Sequence, residues 1–282
     1  MPYLLAGPAC VLLVVMILFP LCLVVATSFT DWQIGAGWPN FAGLSAFEEL
    51  LADPDFREAA LNTAQYAAIV VPATTVLGLL TAILITESGR GAAFYRSILF
   101  IPSITTLAAA SVAWQLLLSP TVGAIPQILH AFGSSSANWL QDRSFALPVL
   151  ALIGIWSQAG FATLFFLAGL KTAGRELHEA VALDGGGPLD RLFHVTLPHL
   201  APIMIFVLAF AALQSLRVFD TVAIITRGGP EKSTLVILYY IYQEAFSLFR
   251  TNLAAAATVL FVCAVLSLSA VQLVARRTFG QS

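Results

Sequence analysis

Six long apolar runs constrain this chain more than any other feature: Tyr3 to Phe29, Leu61 to Thr86, Ile98 to Ser119, Leu147 to Leu170, Ile203 to Ile225 and Ala254 to Ala275. Each exceeds the ~20 residues with which an α-helix crosses the hydrocarbon layer of a bilayer. Backbone groups cannot stay unpaired in that layer, so runs of this length read as helices. Of the 282 residues 59% are apolar and 10% charged, and the mean hydropathy is +0.89. Those values exclude an ordinary soluble domain. The expected fold is an all-α integral membrane protein, a single transmembrane domain over 1–282 with about six transmembrane helices. The first run does not read as a cleaved signal. It lacks a basic leading segment, is too long for a signal core, and meets no small-residue cleavage site before Thr30-Asp31-Trp32.

Charges between the runs set an orientation. Arg90, Arg96, Lys171, Arg175, Arg191, Arg276 and Arg277 follow the second and fourth runs or lie in the C-terminal tail. The opposite loops hold Arg57, Arg143, Arg227, Lys232 and Arg250 together with most of the acids, among them Asp31, Asp53, Asp55 and Glu58. Positive residues tend to remain in the cytoplasm, so both termini and the loop 171–202 are expected inside. Cys10, Cys22 and Cys263 fall within the runs, where cysteine behaves as a small apolar residue. His130, His178, His194 and His199 are dispersed without metal-ligand spacing. No metal or cofactor is expected in this chain.

Between the fourth and fifth runs the chain turns polar. From Arg175 to Leu183, Leu177, Ala180 and Val181 share one face of a short helix, with His178 and Glu179 turned elsewhere. Asp184-Gly-Gly-Gly187 ends it, since glycine readily takes the left-handed conformation of a helix C-terminus. Pro188 suits the first position of a second helix, which Pro198 and Pro202 are expected to limit. This stretch resembles the EAA loop of membrane subunits in binding-protein-dependent ABC importers. Glu179, Ala180, Asp184, Gly185, Phe193, Leu197, Pro198 and Pro202 stand where that family's pattern places them, and Val181 departs from its third small residue.

The resemblance implies a cytoplasmic coupling helix-turn-helix. The helix around Glu179 would dock in a cleft of an ATPase subunit, with Glu179 facing a basic residue and Gly185 allowing close backbone approach. The coupling residues carried over are Glu179, Ala180, Asp184, Gly185, Leu197 and Pro198. A phosphate-binding loop needs lysine after glycine, yet Lys171 follows Leu170 and Lys232 follows Glu231. ATP and Mg are therefore expected on partner ATPase subunits.

A second series follows the fifth run: Phe219-Asp220, Thr226-Arg-Gly-Gly-Pro230 and Tyr239-Tyr-Ile-Tyr-Gln-Glu-Ala-Phe246. It resembles the F-D, T-x-G-G-P and Y-I-Y-x-x-A-F series of carbohydrate-uptake permeases, a group that includes the maltose and glycerol-3-phosphate importers. What this implies is a permease subunit in the bacterial inner membrane that moves a di- or oligosaccharide by alternating access. Its implied partners are a second permease subunit in a heterodimer, two ATPase subunits and an extracytoplasmic solute-binding protein. Glycerol-3-phosphate or its diesters are the alternative cargo. Ser233 to Asn252 reads either as an interfacial or partly re-entrant periplasmic helix or as a lipid-facing surface helix, with Tyr239, Tyr240 and Tyr242 at a water-membrane boundary. The loop from Thr30 to Ala60 reads as amphipathic surface material that can dock the binding protein.

Polar residues at membrane depth are costly unless they face protein or water. They therefore mark the expected substrate path: Asn62 and Tyr66 in the second run, Trp156 and Gln158 in the fourth, and Gln214, Arg217 and Asp220 in the fifth. Amides, carboxylates and aromatic faces are the groups that bind sugars. Arg217 and Asp220 either line that path or pair across one turn as structural glue. A secondary transporter would need more spans, inverted repeats and coupling carboxylates. An intramembrane enzyme would need a nucleophile and base or a metal cluster within the spans. The sequence offers neither.

Overall fold

Prolines stand beside two π turns and the sharpest bend of this chain. The computed structural model describes residues 2–35, 37–87, 91–132, 138–172 and 187–279. In chain order the helices are α1 (Pro2–Leu13), α2 (Phe19–Thr27), α3 (Ser45–Ala52), α4 (Pro54–Glu87), α5 (Ala92–Ile104), α6 (Leu107–Leu117), α7 (Ala124–Ala131), α8 (Ala146–Thr172), α9 (Pro188–Arg191), α10 (Leu197–Leu216), α11 (Ile237–Tyr242) and α12 (Thr251–Phe279). A π turn, Val14–Leu18, joins α1 to α2, and a second, Leu192–Thr196, joins α9 to α10. Each π turn ends two residues before a proline, Pro20 or Pro198. A proline ring clashes with the carbonyl of the preceding turn and donates no hydrogen bond. One widened turn, with Phe19 N–H bonded to Val14 O and Leu197 N–H to Leu192 O, lets the helix pass it.

Among the described residues five helical segments are long and apolar enough to cross a membrane: Gly7–Thr27, Pro54–Thr86, Ala146–Thr172, Leu189–Leu216 and Thr251–Val274. A sixth span is made only if the α5 and α6 pair counts as one, and that pair is bent by 99°. The run read as one straight third span is thus two helices. Pro102 lies near the end of α5, and the β-branched Thr105 and Thr106 take extended conformations, with ψ of 137° and 131°. The fifth helix also differs from its run, ending at Leu216 rather than Ile225. Upstream the helix continues through Pro198 and Pro202, which do not limit it as expected, because the π turn and the first turn of α10 accommodate them. The coupling residues Glu179, Ala180, Asp184 and Gly185 lie outside the described residues, whereas Leu197 and Pro198 open α10.

Lipid tails are as apolar as leucine, so membrane helices associate through close contact and hydrogen bonds rather than through hydrophobic expulsion. The helix α8 is built for that. It packs against α4, α5 and α10. A Cβ at Gly160 would strike the Leu99 carbonyl oxygen of α5, so only glycine permits that approach. The Thr81 and Thr163 hydroxyls meet at 2.6 Å between α4 and α8. Two buried cores result: Leu147, Leu150 and Ile153 of α8 join the first, and Ala162, Phe166 and Leu167 the second. The middle of α8, with Ser157 and Gln158, belongs to neither.

The segment after Ser233 does not span. A short α11 and the π turn Gln243–Ser247 lie against α4 and α12. It is held by polar contacts: the Tyr240 hydroxyl donates to Asp53 Oδ2 at 2.7 Å, and Arg250 Nε meets Glu244 Oε2 at 2.6 Å. Glu244 is 3% exposed. Burial pushes its carboxyl above the usual carboxylate range, and the Arg250 hydrogen bond opposes that shift. Arg250→Met should therefore leave a buried charge without a partner and cost about 2–4 kcal/mol. Adding Glu244→Gln should restore most of the loss, measured as the unfolding temperature of the detergent-solubilised protein.

Candidate solute pathway and coupling region

The gap between the two cores is a cavity of about 400 Å³. Its walls come from four places: Tyr66 of α4, the bend between α5 and α6, Ser157 to Phe161 of α8, and the end of α10 with the turn after it. The bend is fastened to α8 beside the cavity. Ser103 Oγ donates to the Ser157 carbonyl at 2.8 Å and accepts the Phe161 N–H at 3.1 Å. Tyr66 is 1% exposed, and its hydroxyl occupies the space a Cβ at Gly154 would need.

Five of the seven path residues read from the sequence line this cavity: Tyr66, Gln158, Gln214, Arg217 and Asp220. The last three meet for a reason other than helical spacing. Arg217 is the cap residue at which α10 ends (φ −92°, ψ 14°), and the chain then folds through Val218 and Phe219 to bring Asp220 back to the same wall. A cation there complements the negative end of the helix dipole. Arg217 and Asp220 make no ion pair with each other, so the glue reading does not describe them. Gln158 Oε1 is buried without a hydrogen-bond partner in the protein. That leaves one acceptor unsatisfied just behind the cavity wall.

Asn62 and Trp156 lie elsewhere. Asn62 Nδ2 donates to the Lys232 carbonyl at 2.9 Å and the Leu235 carbonyl at 3.0 Å, clipping the turn after Pro230 to α4. Trp156 packs edge-on against Trp114, ring centroids 5.5 Å apart. The Gly228-Gly229-Pro230 series forms a hydrogen-bonded knot. Gly228 takes a φ of 83°, a value glycine adopts freely, and the Thr234 hydroxyl reaches the Gly229 carbonyl and the Thr226 hydroxyl, both at 2.7 Å. At the same end of the helices Arg143 bridges Glu58 at 3.3 Å and Glu231 at 3.2 Å, and Lys232 holds Asp55. The Asp55 hydrogen bond raises the Lys232 amine above its ordinary value.

Sequence reasoning missed an aromatic ladder on the cavity's α8 and α10 sides. Phe161 stacks on Phe210 at 4.3 Å, and Phe165 meets Phe206 at 4.7 Å. Phe161 and Phe210 line the cavity themselves. The signal was present as phenylalanines at i and i+4 in both runs, a spacing that puts each pair on one helix face.

The spanning helices and the polar cavity between their cores define a helical membrane permease. The chain belongs to the binding-protein-dependent transport system inner membrane component family, whose sequence profile matches residues 74–280. It is 31% identical over 275 residues to the sn-glycerol-3-phosphate transport system permease protein UgpA of Salmonella typhimurium, covering 96% of this chain and 92% of that one. It is also 31% identical over 276 residues to the sulfoquinovosyl glycerol transport system permease protein SmoG of Agrobacterium fabrum, covering 98% and 90%. In fold it is similar to a bacterial ABC transporter that imports the acidic polysaccharide alginate, with a TM-score of 0.86, 21% identity, and 98% and 94% coverage. A bacterial alginate ABC transporter in complex with an alginate pentasaccharide-bound periplasmic protein gives a TM-score of 0.84 at 20% identity, with 96% and 91% coverage. The chain is thus the permease subunit of an ABC importer, a non-enzymatic inner-membrane component that works with ATPase and solute-binding partners.

Two substitutions probe the fastening of the bend. Ser103→Ala should cost about 1–2 kcal/mol by removing both of its hydrogen bonds. Gly160→Val should cost more, because its Cβ meets backbone that cannot step aside. The order of the two unfolding temperatures in detergent checks this.

Proposed function

We propose that this subunit carries a small polyhydroxylated solute with an acidic group through the cavity between its two cores. The observation that carries the reading is the convergence there of Gln158, Gln214, Arg217, Asp220 and Tyr66. Gln158 and Gln214 bind hydroxyls through their amides, Asp220 accepts further hydroxyls, and Arg217 takes the acidic group in a charge-assisted hydrogen bond. Phe161 and Phe210 offer ring faces to a sugar. The relatives' names support an acidic cargo: one is named for glycerol-3-phosphate and another for a glycerol bearing a sulfo-sugar. A neutral di- or oligosaccharide is the second reading, favoured by those ring faces and by the two amides.

In a reconstituted transporter Arg217→Gln should reduce glycerol-3-phosphate uptake about tenfold or more, the worth of one charged hydrogen bond of ~1.5–3 kcal/mol. Basal ATP hydrolysis should be unchanged. Uptake unaffected by Arg217→Gln but cut by Gln214→Ala would favour the neutral cargo. Should Gln158→Ala and Gln214→Ala both leave uptake intact at normal expression, the pathway assignment would be wrong.

The energy enters elsewhere. The loop 171–202 is the cytoplasmic coupling element, both termini lie inside, and the subunit pairs with a second, similar permease above two ATPase subunits that bind ATP and Mg. Glu179, Ala180, Asp184 and Gly185 form the docking knob, while Leu197 and Pro198 connect it to α10. The family membership and the EAA spacing support this reading. Glu179→Lys and Gly185→Val should each weaken co-purification of the ATPase and uncouple hydrolysis from uptake. A fully assembled complex with normal uptake in either variant would contradict the assignment.

A further inference from the structure

The first span, Gly7–Thr27, has none of its most apolar stretch buried within the chain. The loop that follows is fixed at its neck and apolar at its tip. Thr30 and Phe41 form an isolated antiparallel bridge. Asp31 Oδ1 accepts the Asn40 backbone N–H at 2.8 Å, and Oδ2 accepts Asn40 Nδ2 at 3.2 Å. Those donors hold the Asp31 carboxyl below its ordinary pKa, as expected for a carboxylate that stays charged in this clamp. Within the loop Trp38 is 94% exposed, and Phe41 at the neck is 82% exposed. No charged residue occurs between Asp31 and Glu48.

The loop also turns back toward the helix it came from. Trp32, Trp38 and Pro39 on one side, with Leu23 and Thr27 of α2 on the other, flank an open cleft of about 680 Å³. Leu23 lies one turn before the end of the span, the depth at which hydrocarbon gives way to headgroups. We propose that this cleft holds a membrane lipid, its chain along Leu23 and its glycerol region between Trp32 and Trp38, and that the loop anchors the first span at the bilayer interface.

Continuity argues for this occupant. One wall of the cleft is a flank of α2 on which Leu23 is 52% exposed, although another flank of that helix packs against α12, so the cleft opens toward the hydrocarbon that meets Leu23. Tryptophan suits that depth because its ring is apolar and its N–H is not. The absence of charge suits it too, since the rim of a docking surface for a soluble protein is polar. Such an anchor adds to the contact with α12 in fixing the rotation and tilt of the span. The inference is independent of the cargo and of which side of the membrane the loop occupies.

The test uses the assembled transporter in nanodiscs of phosphatidylcholine, with and without bromine near the top of the acyl chains. The emission of Trp38 is the difference between wild type and Trp38→Phe, a change at a surface side chain that leaves the fold intact. The expected result is a blue-shifted Trp38 component that loses most of its intensity in the brominated bilayer. Blue-shifted but unquenched emission would overturn the proposal in favour of cover by the second permease subunit. Red-shifted, unquenched emission would overturn it by placing the loop in water. Asp31→Ala should open the neck and reduce the quenching to less than half, and an unchanged value would overturn the role of the clamp.

Discussion

Close backbone contact along α8 is the constraint that the other helices obey. In a membrane the exclusion of water cannot drive one helix onto another, and what remains is contact distance and polar pairing. Gly160 lets the Leu99 carbonyl approach, and the Thr81–Thr163 pair ties α4 alongside. With both neighbours held so near, the side chains above and below fill two dry cores. Ser157 and Gln158 fall between those cores, and the polar cavity is the space that neither core closes.

The bend of the α5 and α6 pair depends on the same contact. A helix broken at Pro102 and two extended threonines leaves backbone groups to satisfy, and Ser103 is the residue that links the break to α8. Had the pair run straight, the bend that forms one wall of the cavity would be missing. The segment around α11 is secured differently, by Tyr240 on Asp53 and Glu244 on Arg250, which ties α3, α11 and the start of α12 together.

The apolar runs announced the helices because length and hydropathy are properties of sequence alone. Four of the six runs correspond closely to spanning helices, and the polar residues within them pointed to the cavity wall at Tyr66, Gln158 and Gln214. What composition could not reveal was the direction of the chain. The third run is apolar from end to end, and only Pro102 with two threonines hinted that it turns through 99°. Arg217 and Asp220 looked like neighbours on one helix, yet the helix ends at the first of them. Asn62 looked like a path residue because a lone amide in an apolar run is the same letter whether it meets a solute or a carbonyl 170 positions away. The phenylalanine ladder went unread because it is made by two helices, and neither alone distinguishes it from ordinary apolar surface.

The helix α10 is long and unbroken. Between Pro198 and Gln214 it is roughly 24 Å of continuous rod at 1.5 Å per residue. Because Pro198 and Pro202 do not interrupt it, a pivot near its first turn acts as a lever arm. A swing of ~5° there displaces the Gln214 end by ~2 Å, several times the ~0.5 Å range over which an N–H···O hydrogen bond keeps its strength. A rotation too small to disturb the packing of Leu200 against the second core is thus enough to release the grip of the far end on whatever it holds.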